Sequence, residues 1–276
     1  MHPRETFWPL PRYGRDTLGG DLTLYIAGDP IPGYLAVPAG TGPFPGVVVL
    51  HQAYGLNDDI RRQTDRVASL GYLAVAPDLV ADGGWRGVAG LFRDLMRGRG
   101  EGIQKAEAVI DWVRKRADCN GKVGAMGFCL GGGFAYLLGL SGKIEATAPN
   151  YGRSPKGLAG SCPVVASYGG RDRILRRQAA RVEKALEEGG IPHDVKVYAQ
   201  AGHGFMNQHD SHPFLVAAGR PFRSVGYEKD AAEDTWLRIE SFFGRFLGVS
   251  PPAGGNTAAG GRGARFPNGE QRPRPG

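Results

Sequence analysis

Three residues of types that carry out nucleophilic chemistry stand in a suggestive order: Cys129 in GFCLGG, Asp172 in YGGRD and His203 in GHGF. Cys129 follows the apolar run VGAM and has Gly127 and Gly131 two positions to either side, a G-x-C-x-G pattern. Where such a pattern joins a strand to a helix, the turn is so sharp that side chains at the glycine positions would collide with neighbouring strands. The central residue is then held in a strained conformation that lifts its side chain from the top of a sheet. A thiolate there can attack an ester or lactone carbonyl, and the main-chain N–H of Leu130, at the helix start, points where the carbonyl oxygen gains charge. His203 would move the protons and Asp172 would orient the imidazole, in the chain order nucleophile, acid, histidine.

Other readings of the same residues exist. Free cysteine is most often a small buried hydrophobe, and an inert Cys129 stands as the alternative at this position. Taken singly, a loop aspartate is commonly a helix cap and a loop histidine a solvated side chain; what argues for chemistry is their joint order. The glycines do not read as a phosphate cradle, because position 129 is Cys where G-x-G-x-x-G needs glycine and no lysine follows as a P-loop requires. His203 with His209, Asp210 and His212 matches no standard metal-site spacing and reads as a polar loop. No metal and no organic cofactor is expected. Cys119 and Cys162 read as structural, and three cysteines without C-x-x-C spacing suggest neither a disulfide framework nor a thiolate zinc site.

The surrounding elements must present these residues together. LTLYIAG and GYLAVPA, separated by Asp29 and Pro30, predict an antiparallel hairpin. Strands are then expected at Val47–Leu50, LAVAP, KVGAM, IEATAP, PVVASYG and DVKVY. Helices are expected over Asp58–Leu70, Gln104–Arg116, Leu130–Leu140, Arg176–Glu188 and Ala231–Leu247. Alternating strands and helices imply a mainly parallel sheet covered on both faces, with the ligand beyond the carboxyl ends of the strands. Cys129, Asp172 and His203 each fall just after an expected strand. The irregular stretch HDSHPFLVAAGRPFRSVGYEKD is expected to form part of a pocket rim.

Composition bounds the rest. A chain of 276 residues with 41% hydrophobic content has enough apolar material for one sizeable core. Of the formal charge of +7, the last 28 residues supply +3 and the other 248 only +4. Those last residues hold 7 Gly and 5 Pro, too little apolar surface to offset ordering. The expected organisation is an extension over 1–19, a catalytic domain over 20–248 and a disordered tail over 249–276. Without aromatic interleaving or a Lys/Arg cluster, the basic tail does not read as a nucleic-acid binder. No stretch approaches the ~18 apolar residues of a membrane span, and the start lacks a signal-peptide core. The expected location is cytoplasmic, and the expected partner a small-molecule ester or lactone.

GFCLGG, YGGRD and GHGF, with HQAYGLNDDIRRQTDRVASLGYLAVAPDL, together resemble the dienelactone hydrolase family of cysteine-dependent α/β-hydrolases over roughly residues 20–247. The resemblance implies the α/β-hydrolase fold, with Cys129, His203 and Asp172 as the triad and the amides of Leu130 and Ala53 as the oxyanion hole. It also exposes departures. The family usually places a glutamate beside the resting thiol where this chain has Gln52, which cannot take a proton at neutral pH. The two arginines that hold the family substrate's carboxylate align with Asp82 and Asn207, so that anionic substrate is not supported unless Arg86, Arg93 or Arg153 substitutes. Tyr54, Trp85, Tyr151, Tyr168 and Phe205 are candidate pocket walls, with plain core as the alternative. A hydrolase of a small ester or lactone is the leading expectation. A binding or redox-sensing protein that kept the fold and lost turnover is the second.

Overall fold

The computed structural model describes residues 17–26, 29–80, 84–208 and 226–249. The expectations placed on residues 1–16, on Asp82, on 209–225 with His209, Asp210 and His212, and on the tail from 250 onward lie outside the described residues. An antiparallel pair, β1 (Leu18–Ile26) and β2 (Asp29–Val37), comes first. Then follow β3 (Phe44–Leu50), α1 (Asp58–Ser69), β4 (Leu73–Pro77), α2 (Gly84–Arg97), α3 (Glu101–Arg114), β5 (Cys119–Phe128) and α4 (Leu130–Gly139). The order closes with β6 (Ala146–Asn150), β7 (Val164–Gly169), α5 (Gln178–Glu188), β8 (His193–Tyr198) and α6 (Lys229–Leu247).

Among the described residues the strands form one sheet in the order β1-β2-β4-β3-β5-β6-β7-β8. β2 also meets β4 antiparallel, and every pair from β4–β3 to β7–β8 is parallel. This is an α/β-hydrolase fold. The β3 run explains why both faces must be covered, since successive side chains point to opposite sides. Val47 and Val49 face Ile60 and Val67 of α1 with Trp236, Ile239 and Phe243 of α6. Val48 and Leu50 face Ile103, Val109 and Ile110 of α3 with Leu130 and Phe134 of α4. Of these helices, two begin on side-chain caps: the Asn57 carboxamide oxygen accepts the Ile60 N–H of α1 at 3.0 Å, and the Glu228 carboxylate the Ala231 N–H of α6 at 2.7 Å.

One element was absent from the sequence expectations. α2 has the sequence GWRGVAGLFRDLMR, and its interior glycines each weaken the local helix signal by about 1 kcal/mol relative to alanine. Tertiary contacts fix it instead: Leu91 and Asp94 are buried, and an Asp94 carboxylate oxygen accepts the Gly102 N–H at the start of α3 at 3.0 Å. The hairpin also begins earlier than expected, with β1 paired to β2 from Leu18↔Val37 onward.

Candidate active site

The parallel register brings the ends of β3, β5 and β6 side by side: Leu50 pairs with Gly127, and Phe128 with Asn150. Cys129 lies one residue past β5, at φ 54° and ψ −110°, as the residue that opens α4. A side chain at positive φ costs on the order of 1–3 kcal/mol and persists only where its surroundings enforce it. Here the Cys129 N–H donates to the Asn150 carbonyl at 3.1 Å, and its carbonyl accepts the Gly133 N–H at 3.1 Å. The flanking glycines leave no alternative. A Cβ on Gly131 would lie 2.2 Å from the Leu50 carbonyl oxygen of β3, while one on Gly127 would lie 2.1 Å from the carbonyl oxygen of Gly131. The expected collision with a neighbouring strand thus holds for Gly131, whereas Gly127 is constrained across the turn itself.

Asp172 and His203 come from loops beyond β7 and β8, whose ends pair at Gly169↔Tyr198. The two loops are stitched together by Gly170 N–H to the Tyr198 carbonyl at 2.8 Å and Arg171 N–H to the Ala201 carbonyl at 2.9 Å. Asp172 is buried, and one carboxylate oxygen accepts the N–H groups of Ile174 and Leu175 at 3.0 Å each. Its other oxygen meets His203 Nδ1 at 2.7 Å. With Nδ1–H given to Asp172, Nε2 remains for Cys129, to which the histidine side chain is also hydrogen-bonded. Burial alone would push His203 down, but the bonds to Asp172 and Cys129 and their charges outweigh it and raise its pKa to about 10. Burial likewise opposes the Asp172 charge, yet the His203 contact and the two main-chain N–H groups hold its pKa below the usual carboxylate value.

The remaining candidates divide. Tyr54 is 39% exposed, and burial together with the Cys129 charge raises its phenol pKa. Tyr151 is buried and meets the His203 ring edge to face at 5.3 Å and the Phe205 ring likewise at 5.2 Å. Tyr168 is core rather than pocket wall: it is buried, its hydroxyl 2.7 Å from the Tyr136 hydroxyl. Trp85 is neither core nor tied to the thiol; it stands 77% exposed on α2 with the Arg86 guanidinium 5.9 Å over its ring. Arg86, Arg93 and Arg153 are all exposed. Gln52 is buried in the loop after β3, and among the described residues its Nε2 has no hydrogen-bond partner. Ala53 follows it, while Leu130 is buried at the first position of α4.

Two features escaped the sequence reading. Asn207, aligned with a substrate-binding arginine, is wholly buried and bonded to Tyr151 and Asp59, so it does not face a ligand. His51, also buried, bonds the Gln52 carbonyl through Nδ1 and accepts the Leu79 N–H at 2.9 Å through Nε2, pinning the loop that carries Gln52 and Ala53. Burial keeps this ring neutral by lowering its pKa, which suits an Nε2 that accepts. Its place just beyond a strand was the one signal available.

The sequence profile of the dienelactone hydrolase family matches residues 31–247. Relatives with the provisional name carboxymethylenebutenolidase include one from Synechocystis, 29% identical across 77% of this chain and 91% of its own length. Another, from Yersinia pestis, is 26% identical across 81% of this chain and 87% of its own. A Klebsiella pneumoniae crystal structure provisionally named as a dienelactone hydrolase superposes with a TM-score of 0.65 at 24% identity, covering 84% of this chain and all of the other. A dienelactone hydrolase-like promiscuous phosphotriesterase from metagenomic libraries gives 0.69 at 22% identity, covering 84% of this chain and 99% of its own. Both structural likenesses concern the fold. Among the described residues no helix is long and apolar enough to cross a membrane.

Proposed function

The chain belongs to the dienelactone hydrolase family of ester and lactone hydrolases, and from that premise we propose that it works through Cys129, His203 and Asp172 by way of an acyl-thioester. The observation that carries the reading is His203, bonded to Cys129 on one side and to Asp172 at 2.7 Å on the other. In this mechanism the Cys129 thiolate adds to the carbonyl carbon, and the oxyanion so formed takes hydrogen bonds from the N–H groups of Leu130 and Ala53. Collapse expels the alcohol oxygen, which receives the proton held on His203 Nε2, and leaves the acyl group on sulfur. The neutral imidazole then removes a proton from water, whose oxygen attacks the thioester; the acid departs and the thiolate returns. Asp172 holds Nδ1–H throughout, so that Nε2 is the nitrogen that exchanges protons.

The substrate is read as a small neutral ester or lactone. Asn207 is consumed inside the protein, which supports the absence of one arm of the family's carboxylate clamp. The test is incubation with activated short-chain esters followed by mass spectrometry. Turnover with a transient acyl adduct on Cys129 is expected. Oxidation of Cys129 with no turnover would instead favour a redox-sensing or binding protein.

A further inference from the structure

We propose that Asp59 and Asn207, acting through Tyr151, are positioning residues that set the His203 imidazole against the Cys129 thiol. The inference rests on the triad reading above. It starts from what Asp172 leaves undone: a single hydrogen bond at Nδ1 fixes one atom of the ring but leaves its tilt toward sulfur free. The face that limits the tilt is Tyr151, whose ring meets the imidazole at 66° with centroids 5.3 Å apart. Tyr151 occupies φ 39°, a conformation that a bulky side chain adopts only under constraint.

The Tyr151 N–H donates to the Ser167 carbonyl at 2.7 Å, and its hydroxyl starts a directional chain of hydrogen bonds. The Tyr151 hydroxyl donates to Asn207 Oδ1, and Asn207 Nδ2 donates to Asp59 Oδ2 at 2.5 Å. Asp59 Oδ1 accepts the Gln208 N–H at 2.9 Å, and from the next turn of α1 Gln63 Nε2 donates to the Met206 carbonyl at 2.8 Å. The carboxylate at one end cannot donate, so the amide of Asn207 has one orientation and the phenol one acceptor. Burial and the charges of Asp59 and Cys129 push the Tyr151 pKa well above its ordinary value, keeping the hydroxyl a donor. Tyr151, Asn207 and Asp59 are all buried, so water does not replace a lost link cheaply. The first two turns of α1 thereby grip residues 206–208.

The experiment compares Asp59→Asn, Tyr151→Phe and the double variant with the parent, reading kcat and KM on an activated ester and the iodoacetamide rate of Cys129 from pH 5 to 9. Among the described residues the ionisable groups about the reacting pair include Asp172, Tyr54 and Tyr151, with Asp59 behind Tyr151 and Arg62 3.5 Å from Asp59. Each single variant should lower kcat about tenfold with KM within about twofold, since a small misplacement of a proton-transferring group falls on the chemical step. Each should also move the alkylation profile toward alkaline pH. The double variant should lose no more than the larger single loss, because both break one chain. If folded variants melt earlier yet keep the parent's kcat and alkylation profile, the residues are merely structural and the proposal falls. Should Asp59→Asn fail to fold, Tyr151→Phe decides by the same readings. His203→Ala separates the two levels: a parent-like alkylation profile there would overturn the triad reading itself, whereas a changed profile there beside unchanged Asp59 and Tyr151 variants would overturn only this inference.

Discussion

Around Cys129 the chain is held by main-chain crowding, with Gly131 packed against the Leu50 carbonyl and Gly132 against that of Asn150. Before His203 the main chain is also crowded, with Gly169 against the Gly202 carbonyl, but the ring and the loop beyond it are held by side chains: Asp172 on the ring, and Asp59, Gln63 and Asn207 on residues 206–208. The first arrangement tolerates no Cβ and leaves Cys129 one conformation. The second is a set of hydrogen bonds, each exchangeable in principle for another pair of the same shape. In the proposed mechanism Cys129 needs a fixed trajectory, while His203 serves both an alkoxide and a water, and the two kinds of support match those demands.

The comparison breaks most severely when a reacting group is removed. Cys129→Ala and His203→Ala should each lower kcat by roughly 10³-fold or more, because members of such a unit act together. Asp172→Asn should cost the same or less, through the wrong imidazole tautomer. Cys129→Ala protein that turned over esters at the parent's rate would end the covalent mechanism.

Crowding itself is tested next. Gly131→Ala puts a Cβ 2.2 Å from the Leu50 carbonyl oxygen, an atom that cannot move without displacing β3. It should destabilise the protein by at least about 3 kcal/mol and leave little activity in what folds. Gly157→Ala is the control, since a Cβ there meets nothing within 4 Å. Equal melting temperatures for both variants would show that the turn relaxes.

The same contrast explains what was legible in the sequence. Crowding leaves a trace in residue type, because only glycine fits, and GFCLGG and YGG therefore announced the turn after β5 and the loop after β7. The buried runs of β3 to β7 were equally plain from their β-branched and apolar content. Side-chain support leaves no such trace: Asp59 is one of two acids in the first turn of α1, and Asn207 stood out only as the place aligned with a family arginine. Their meaning depends on partners about 150 residues apart in the chain. α2 stayed hidden because its glycines oppose the helix that its tertiary contacts impose. Trp85 misled for a related reason, since a large aromatic suggests burial and the helix turns it outward.

The smallest effect sharpens the comparison where its two sides meet, at Gln52. Its amide Nε2 is buried without a partner among the described residues, and it cannot accept the thiol proton. On the proposed mechanism His203 is then the acceptor, and with its pKa raised to about 10 it should keep that proton through neutrality and release it only as pH rises past that value. Iodoacetamide should accordingly label Cys129 quickly already near neutral pH, with Cys119 and Cys162 replaced by Ser to silence other thiols. Gln52→Glu introduces a carboxylate into the same buried volume. Ionised, it repels the thiolate, so the same labelling rate should be reached only at a pH higher by about one unit. His203→Ala should slow labelling near neutrality far more, since it removes the proton acceptor that the proposed mechanism assigns. Identical profiles for the parent and both variants would mean that neither residue communicates with the thiol, and Cys129 would be the inert cysteine that its neighbours argue against.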